Sequence, residues 1–200
     1  MPLNIDILRA INELSGNPFW DSFFIAVAFL GGFVLWTFVA APFLFLARWR
    51  NPALLWIIAS CAAGILTLIL KPIFHVPRPY GTYEWVNLVG APLADYSFPS
   101  GHAMRVAACV AAALPIIWRR AGVRSGAGAA GDADFRASKK LKIAVFASLV
   151  FTAALVCFGR IYLGVHYPSD VLAGAGIGVA LGFGIWKIFE NVERRKRRKQ

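Results

Sequence analysis

The sequence predicts an all-α protein, a polytopic transmembrane helix bundle of five spans with an N-terminal amphipathic interfacial helix, and three observations carry that prediction. Of its 200 residues 58% are hydrophobic and 14% aromatic, too apolar for a single water-soluble core of this size. The apolar residues gather into long runs at 19–47, 53–74, 102–118, 143–160 and 168–189. The basic residues punctuate these runs instead of being spread along the chain. At about 1.5 Å of rise per residue, roughly 20 residues cross a hydrocarbon layer about 30 Å thick. Each run can therefore span once.

Residues 1–17 precede the first span. Ile5, Leu8, Ile11 and Leu14 recur at helical spacing against Asp6, Arg9, Asn12 and Glu13, the pattern of a helix lying on a membrane surface. As a signal peptide the segment is poor, because the apolar run starts late, is long and is followed by further spans; no cleavage is expected. The 19–47 run exceeds one crossing, so it is expected to tilt, project from the bilayer, or bend near Gly31-Gly32 or Pro42. "SGAGAAGDADF", at 125–135, reads as a flexible small-residue linker between the third and fourth spans. Cys61, Cys109 and Cys157 sit inside spans at spacings that match no metal or disulfide framework, and read as core filler. Gly174, Gly178 and Gly182 put glycine on one face of the last span, which allows close helix packing within the bundle.

Charge gives the orientation. The formal net charge is +11, carried by Arg48 and Arg50 after the first span, by Arg119 to Lys142 in the link between the third and fourth, and by the basic tail at 190–200. The positive-inside rule assigns all three regions to the cytoplasm, and five spans do bring them to one side. The protein is thus expected in the inner (plasma) membrane with its C-terminus cytoplasmic. Beside a membrane span, the "ERRKRRKQ" tail reads as a topology determinant in contact with anionic membrane lipids, and no nucleic-acid partner is expected.

Arg9, Lys71, Arg78, Arg105 and Arg160 remain on the opposite side, the last four at or near the outer ends of spans, together with His102, His166 and Asp170. Charges inside spans are costly and usually face a cavity or a partner. "KPIFHVPRP" presents Lys71 and Arg78 on a proline-stiffened elbow. In "PSGH", Ser100 suits a helix N-cap and Gly101 permits close approach of a ligand to free backbone N–H groups, with His102 in the first turn. In "GRIYLGVHYPSD", Arg160 closes the fourth span and Asp170 follows His166 at the i,i+4 spacing that lets a carboxylate hold one imidazole nitrogen and leave the other free to attack. Three cations, an amide nest, one histidine backed by a carboxylate and one without are the parts for phosphoryl transfer through a phosphohistidine.

Lys71-x6-Arg78-Pro79, Pro99-Ser100-Gly101-His102 and Arg160-x5-His166-x3-Asp170 resemble the three signature motifs of the type-2 phosphatidic acid phosphatase family, whose site is shared with vanadium haloperoxidases. The resemblance implies His166 as nucleophile, Asp170 as its orienting partner, His102 as general acid, and Lys71, Arg78, Ser100, Gly101 and Arg160 as the phosphate cradle, with no metal and no cofactor. It also implies a lipid phosphate as substrate, with the site on the outer face. The family's third motif usually has Ser before the Arg, where this chain has Gly159, so one phosphate hydrogen bond is missing or supplied by water. Undecaprenyl pyrophosphate is the first candidate substrate, because the short chain and "LRAINELSGNPFWD" resemble small bacterial undecaprenyl-diphosphatases, although those often lack a lysine at the place of Lys71. Phosphatidylglycerophosphate, phosphatidic acid and phosphorylated lipid A are the alternatives.

Other readings compete with this one. A zinc site built from His75, His102, His166 and Asp170 is disfavoured by the surrounding cations. Transfer of the phosphoryl group to a lipid or sugar hydroxyl in place of water is a second enzymatic class. A transporter would line a path with its charges instead of clustering them at one face. Arg105, one turn beyond His102, serves either structural pairing or a headgroup contact.

Overall fold

The computed structural model describes residues 2–32, 37, 40–46, 50–118 and 139–198. Its helices are α1 (Pro2–Asn12), α2 (Pro18–Leu30), α3 (Arg50–Phe74), α4 (Gly101–Trp118), α5 (Lys139–Tyr162) and α6 (Pro168–Arg198), with 3₁₀ turns at Ala41–Phe45 and Pro79–Gly81. No strand occurs among the described residues, as an all-α fold requires. By length and composition, α3 with its exit, α5 and α6 can each cross a membrane. At 18 and 13 residues, α4 and α2 are shorter. Residues 33–36, 38–39 and 47 of the 19–47 run, the 125–135 linker and the cations Arg48, Arg119, Arg120, Arg124 and Arg136 lie outside the described residues. Leu68, Phe29 and Leu172 are 75%, 73% and 74% exposed, the outward apolar surface that a bilayer solvates and water does not.

The packed centre is α4 against α6, and the glycine stripe explains how close they come. A Cβ at Gly174, Gly178 or Gly182 would collide with the carbonyl of Ser100, Met104 or Ala108 respectively. One face of α6 thus rests on the backbone of α4 every fourth residue, which is the intra-bundle packing the spacing predicts. Alanines contribute from the other side, with Ala103, Ala108 and Ala112 fully buried.

Asn17 caps α2 by accepting from Phe19 N at 3.0 Å and Trp20 N at 3.4 Å, and Pro18 occupies the first turn. The helix stops at Leu30, where Gly31 is required by crowding: a Cβ there would lie 2.6 Å from Val156 Cγ1 and 2.9 Å from His102 Cδ2. The end of α2 is therefore pressed against the first turn of α4.

The stripe on α1 is divided between protein and surroundings. Leu8 and Asn12 are buried, with α1 packed against α5 and α6, while Leu3, Ile7 and Leu14 stay exposed. Asn12, on the polar face by sequence, is a clamp: its Nδ2 donates to Tyr162 O and Asn87 O, both at 2.9 Å, and its Oδ1 accepts from Asn87 N at 2.8 Å. At the other terminus, the basic tail continues α6 as helix to Arg198, with Arg194 paired to Glu190 one turn back at 2.9 Å.

Candidate active site

The exit of α3 sets the first cations. Pro72 does not end the helix; it continues to Phe74, and His75 leaves it through a left-handed backbone (φ 49°). Lys71 is thereby held inward and buried, and the segment that follows carries Arg78 back beside it. Both are joined by Asp95, which sequence reasoning did not assign: its two carboxylate oxygens accept from Lys71 Nζ and Arg78 NH2, and its carbonyl accepts from Arg78 Nε at 2.9 Å. Burial opposes ionisation of Asp95, but the hydrogen bonds from Lys71 and Arg78 hold its carboxyl down at about 2. The loop bearing Asp95 is pinned by Tyr80, whose hydroxyl donates to Leu93 O at 2.8 Å and accepts from Leu93 N at 2.9 Å.

The start of α4 supplies the next group. Ser100 is fully buried as the cap; its Oγ lies 3.5 Å from the N–H of Ala103, and its own N–H donates to Asp170 O at 3.0 Å. Gly101 has a packing reason beside the ligand-access reason, because a Cβ there would lie 2.9 Å from Thr67 Cγ2 on α3. Arg105 NH1 donates to Gly31 O at 3.1 Å, a structural pairing at the end of α2.

The third group stands at the α5–α6 corner. Arg160 is buried, and its Nε has no hydrogen-bond partner among the described residues, a donor that an anion in the adjacent cavity would satisfy. His166 is 1% exposed. Its Nε2 faces Arg78 NH1 at 3.5 Å, and because a guanidinium only donates, the Nε2 facing it is the lone-pair nitrogen and Nδ1 carries the hydrogen. Burial first, and then the cations of Arg160, Arg78 and Lys71, push the imidazole of His166 well below the usual histidine range, so it is neutral at pH 7. Asp170 Oδ2 lies 3.6 Å from His166 Nδ1, beyond hydrogen-bonding distance. Ser97, also missed in the sequence, stands between them: its Oγ is 2.5 Å from Asp170 Oδ2 and 3.3 Å from His166 Nδ1.

Lys71, Arg78, Gly101, His102, Arg160 and His166 line one cavity of about 540 Å³, and Arg105 lies on its wall. Ser100 and Asp170 stand behind that lining. His102 and Arg160 also line a second cavity of about 550 Å³ with apolar walls from α2 (Ile25, Phe29) and from Val89, Ala91 and Leu163. His75 is not part of the assembly; it is exposed and meets the ring of Tyr96 edge-to-face at 4.7 Å between centroids. Among the described residues no group of three or more His, Cys, Asp or Glu side chains is arranged to hold a metal ion, so the rival ligand set is not assembled. The Gly159 departure also acquires a geometry: a Cβ there would point at Phe24 Cδ1, 3.1 Å away, and not into the cavity.

A sequence profile of the PAP2 superfamily matches residues 50–194, a range that contains all three groups. The chain belongs to the PAP2 superfamily. Among its relatives, phosphatidylglycerophosphatase B of Bacillus subtilis is 32% identical over 56% of this chain and 51% of its own length, so this chain spans about half of that protein. The undecaprenyl-diphosphatase of Sulfolobus acidocaldarius is 24% identical over 90% of this chain and 75% of its own length. The crystal structure of Aquifex aeolicus LpxE superimposes with a TM-score of 0.67 at 32% identity, covering 92% of this chain and 95% of that one. The apolar helices and this PAP2 membership together make the chain a membrane protein.

Proposed function

We propose that this PAP2 protein is an integral membrane lipid phosphatase that hydrolyses a lipid phosphate or pyrophosphate through a phosphohistidine, without a metal. The observation that carries the reading is the neutral, buried His166 with Nε2 turned toward Arg78 on the wall of a cavity that also holds Lys71, Arg160 and His102. Lys71, Arg78 and Arg160, with the amides at Gly101, neutralise the equatorial oxygens of the phosphoryl group. Nε2 of His166 attacks phosphorus, the phosphorus–nitrogen bond forms as the bond to the leaving oxygen breaks, and His102, which takes up a proton as the anionic substrate binds beside it, passes that proton to the leaving oxygen. Water deprotonated by His102 then cleaves the phosphohistidine. His102 lines both cavities, so the leaving oxygen at His102 directs the lipid chain into the apolar one beside α2. The carboxylate of Asp95 occupies the partners that a phosphate needs at Lys71 and Arg78, so substrate displaces it or shares them.

Undecaprenyl pyrophosphate is the proposed substrate, supported by the alignment over 90% of the chain with an undecaprenyl-diphosphatase. Phosphatidylglycerophosphate is the second reading, favoured by the 32% identity to phosphatidylglycerophosphatase B. Phosphatidic acid and lipid A phosphates complete the panel. Purified protein is expected to release phosphate from at least one of these lipids in excess EDTA, and vanadate is expected to inhibit by occupying the cationic cradle. Activity lost in EDTA and restored by zinc or magnesium would refute the mechanism.

The site is proposed to face outward, with the C-terminus cytoplasmic in the inner (plasma) membrane, on the distribution of the basic residues. In a background with no other accessible cysteine, Thr82→Cys is expected to label from outside intact cells and Ser125→Cys only after permeabilisation. The reverse pattern would overturn the sidedness.

A further inference from the structure

The proposed nucleophile and its carboxylate do not touch, and the atom between them is a serine oxygen. Ser97 is fully buried, and its backbone N–H is fixed by donating to Val76 O at 2.8 Å. Its hydroxyl has one hydrogen and three neighbours: Asp170 Oδ2 at 2.5 Å, His166 Nδ1 at 3.3 Å and Val165 O at 3.5 Å. The shortest contact, to a carboxylate, takes the hydrogen. The lone pairs of Oγ are then left for Nδ1–H, the tautomer that Arg78 favours at Nε2 through a long 3.5 Å contact and that Ser97 completes at Nδ1. Asp170 Oδ2 is further engaged by the N–H of Tyr167 at 3.0 Å, which fixes it toward Ser97 and away from the longer 3.6 Å approach to the imidazole.

We infer that Ser97 is a positioning residue that relays Asp170 to His166, in the order His166 Nδ1–H to Ser97 Oγ and Ser97 O–H to Asp170 Oδ2. The inference rests on the phosphohistidine reading and adds to it a residue outside the family motifs. No proton leaves the chain of three: when Nε2 bonds to phosphorus, the positive charge gained by the ring is felt by Asp170 through the hydroxyl dipole, and the leaving oxygen takes its proton from His102. Only a hydroxyl suits the position, because it must accept on one side and donate on the other.

The test compares Ser97→Ala, Asp170→Ala and the double variant. A hydrogen bond to a charged group is worth about 1.5–3 kcal/mol, so each single variant is expected to lose about 10- to 100-fold in kcat on p-nitrophenyl phosphate, with KM within about twofold. The double variant is expected to be no worse than Asp170→Ala, because the carboxylate acts only through the hydroxyl. Nitrogen-15 NMR of His166 in detergent supplies a readout independent of turnover. Wild-type protein is expected to show the Nδ1–H tautomer, and Ser97→Ala and Asp170→Ala are each expected to show a mixture of tautomers. If Ser97→Ala keeps both the wild-type rate and the Nδ1–H tautomer while Asp170→Ala loses them, the carboxylate acts directly and the relay is wrong. Multiplicative losses in the double variant overturn it as well. A wild-type protein that releases no phosphate from p-nitrophenyl phosphate or any lipid of the panel defeats the phosphatase reading instead, and the NMR result still decides the relay.

Discussion

Replacing His166 by alanine is expected to reduce phosphate release to background on every substrate, a loss of more than about 10⁴-fold in kcat, because the covalent intermediate forms on its Nε2 and His102 is placed at the leaving oxygen instead. The reason is positional. His166 lines the cavity at Arg78, is 1% exposed, and is neutral through its burial and its cationic neighbours, so its lone pair is available at pH 7. Its low affinity for protons also sets the sign of the pH response. The folded-state value lies below the ordinary one, so protonation of His166 occurs only at acid pH; on p-nitrophenyl phosphate, whose leaving group needs little help from an acid, the rate of phosphoenzyme formation should fall on acidification and stay level through neutrality. Steady-state assays of His166→Ala against wild type, with circular dichroism to confirm folding, check both expectations. Residual turnover within tenfold of wild type would exclude His166 as the nucleophile.

The second large effect separates the two histidines by leaving group. His102 stands at the first turn of α4, touches the Gly31 corner of α2, and lines both the polar and the apolar cavities. An acid in that place matters for the alkoxide that leaves a lipid phosphomonoester, and much less for p-nitrophenolate or for the lipid phosphate that leaves a pyrophosphate. His102→Ala is therefore expected to lose about 10²–10⁴-fold on a lipid phosphomonoester such as phosphatidic acid, and at least about tenfold less on p-nitrophenyl phosphate. The ratio of kcat/KM values on the two substrates is the measurement. Equal losses on both would remove the general-acid assignment.

Much of the architecture and of the candidate site was legible because in a bilayer a charge inside an apolar run needs a reason. Lys71, Arg78, His102, Arg160, His166 and Asp170 all announce themselves in this way, and they converge on one end of the bundle. The glycine spacing of α6 was equally readable, since each glycine meets a carbonyl of α4. Asp95 and Ser97 left no such trace. Both are short polar residues in a loop, where polarity is unremarked, and their partners lie 24 and 73 positions away in sequence. The stripe of α1 was ambiguous for another reason: Leu8 suits a membrane surface as well as it suits the ends of α5 and α6, and only the buried Asn12 clamp tells them apart. The end of the second run at 74 agrees with the end of α3, because a proline near the last turn sacrifices few hydrogen bonds and lets the helix run past Pro72 to Phe74.

The most direct test of a phosphohistidine mechanism is to trap the intermediate. Purified protein is mixed with a ³²P-labelled lipid phosphate or pyrophosphate that it turns over, quenched within milliseconds in base and separated from substrate. The account predicts label on the protein that survives alkali, is released by mild acid, maps to the peptide containing His166 and is absent from His166→Ala. Label that is stable to acid, or that persists in His166→Ala, would contradict it.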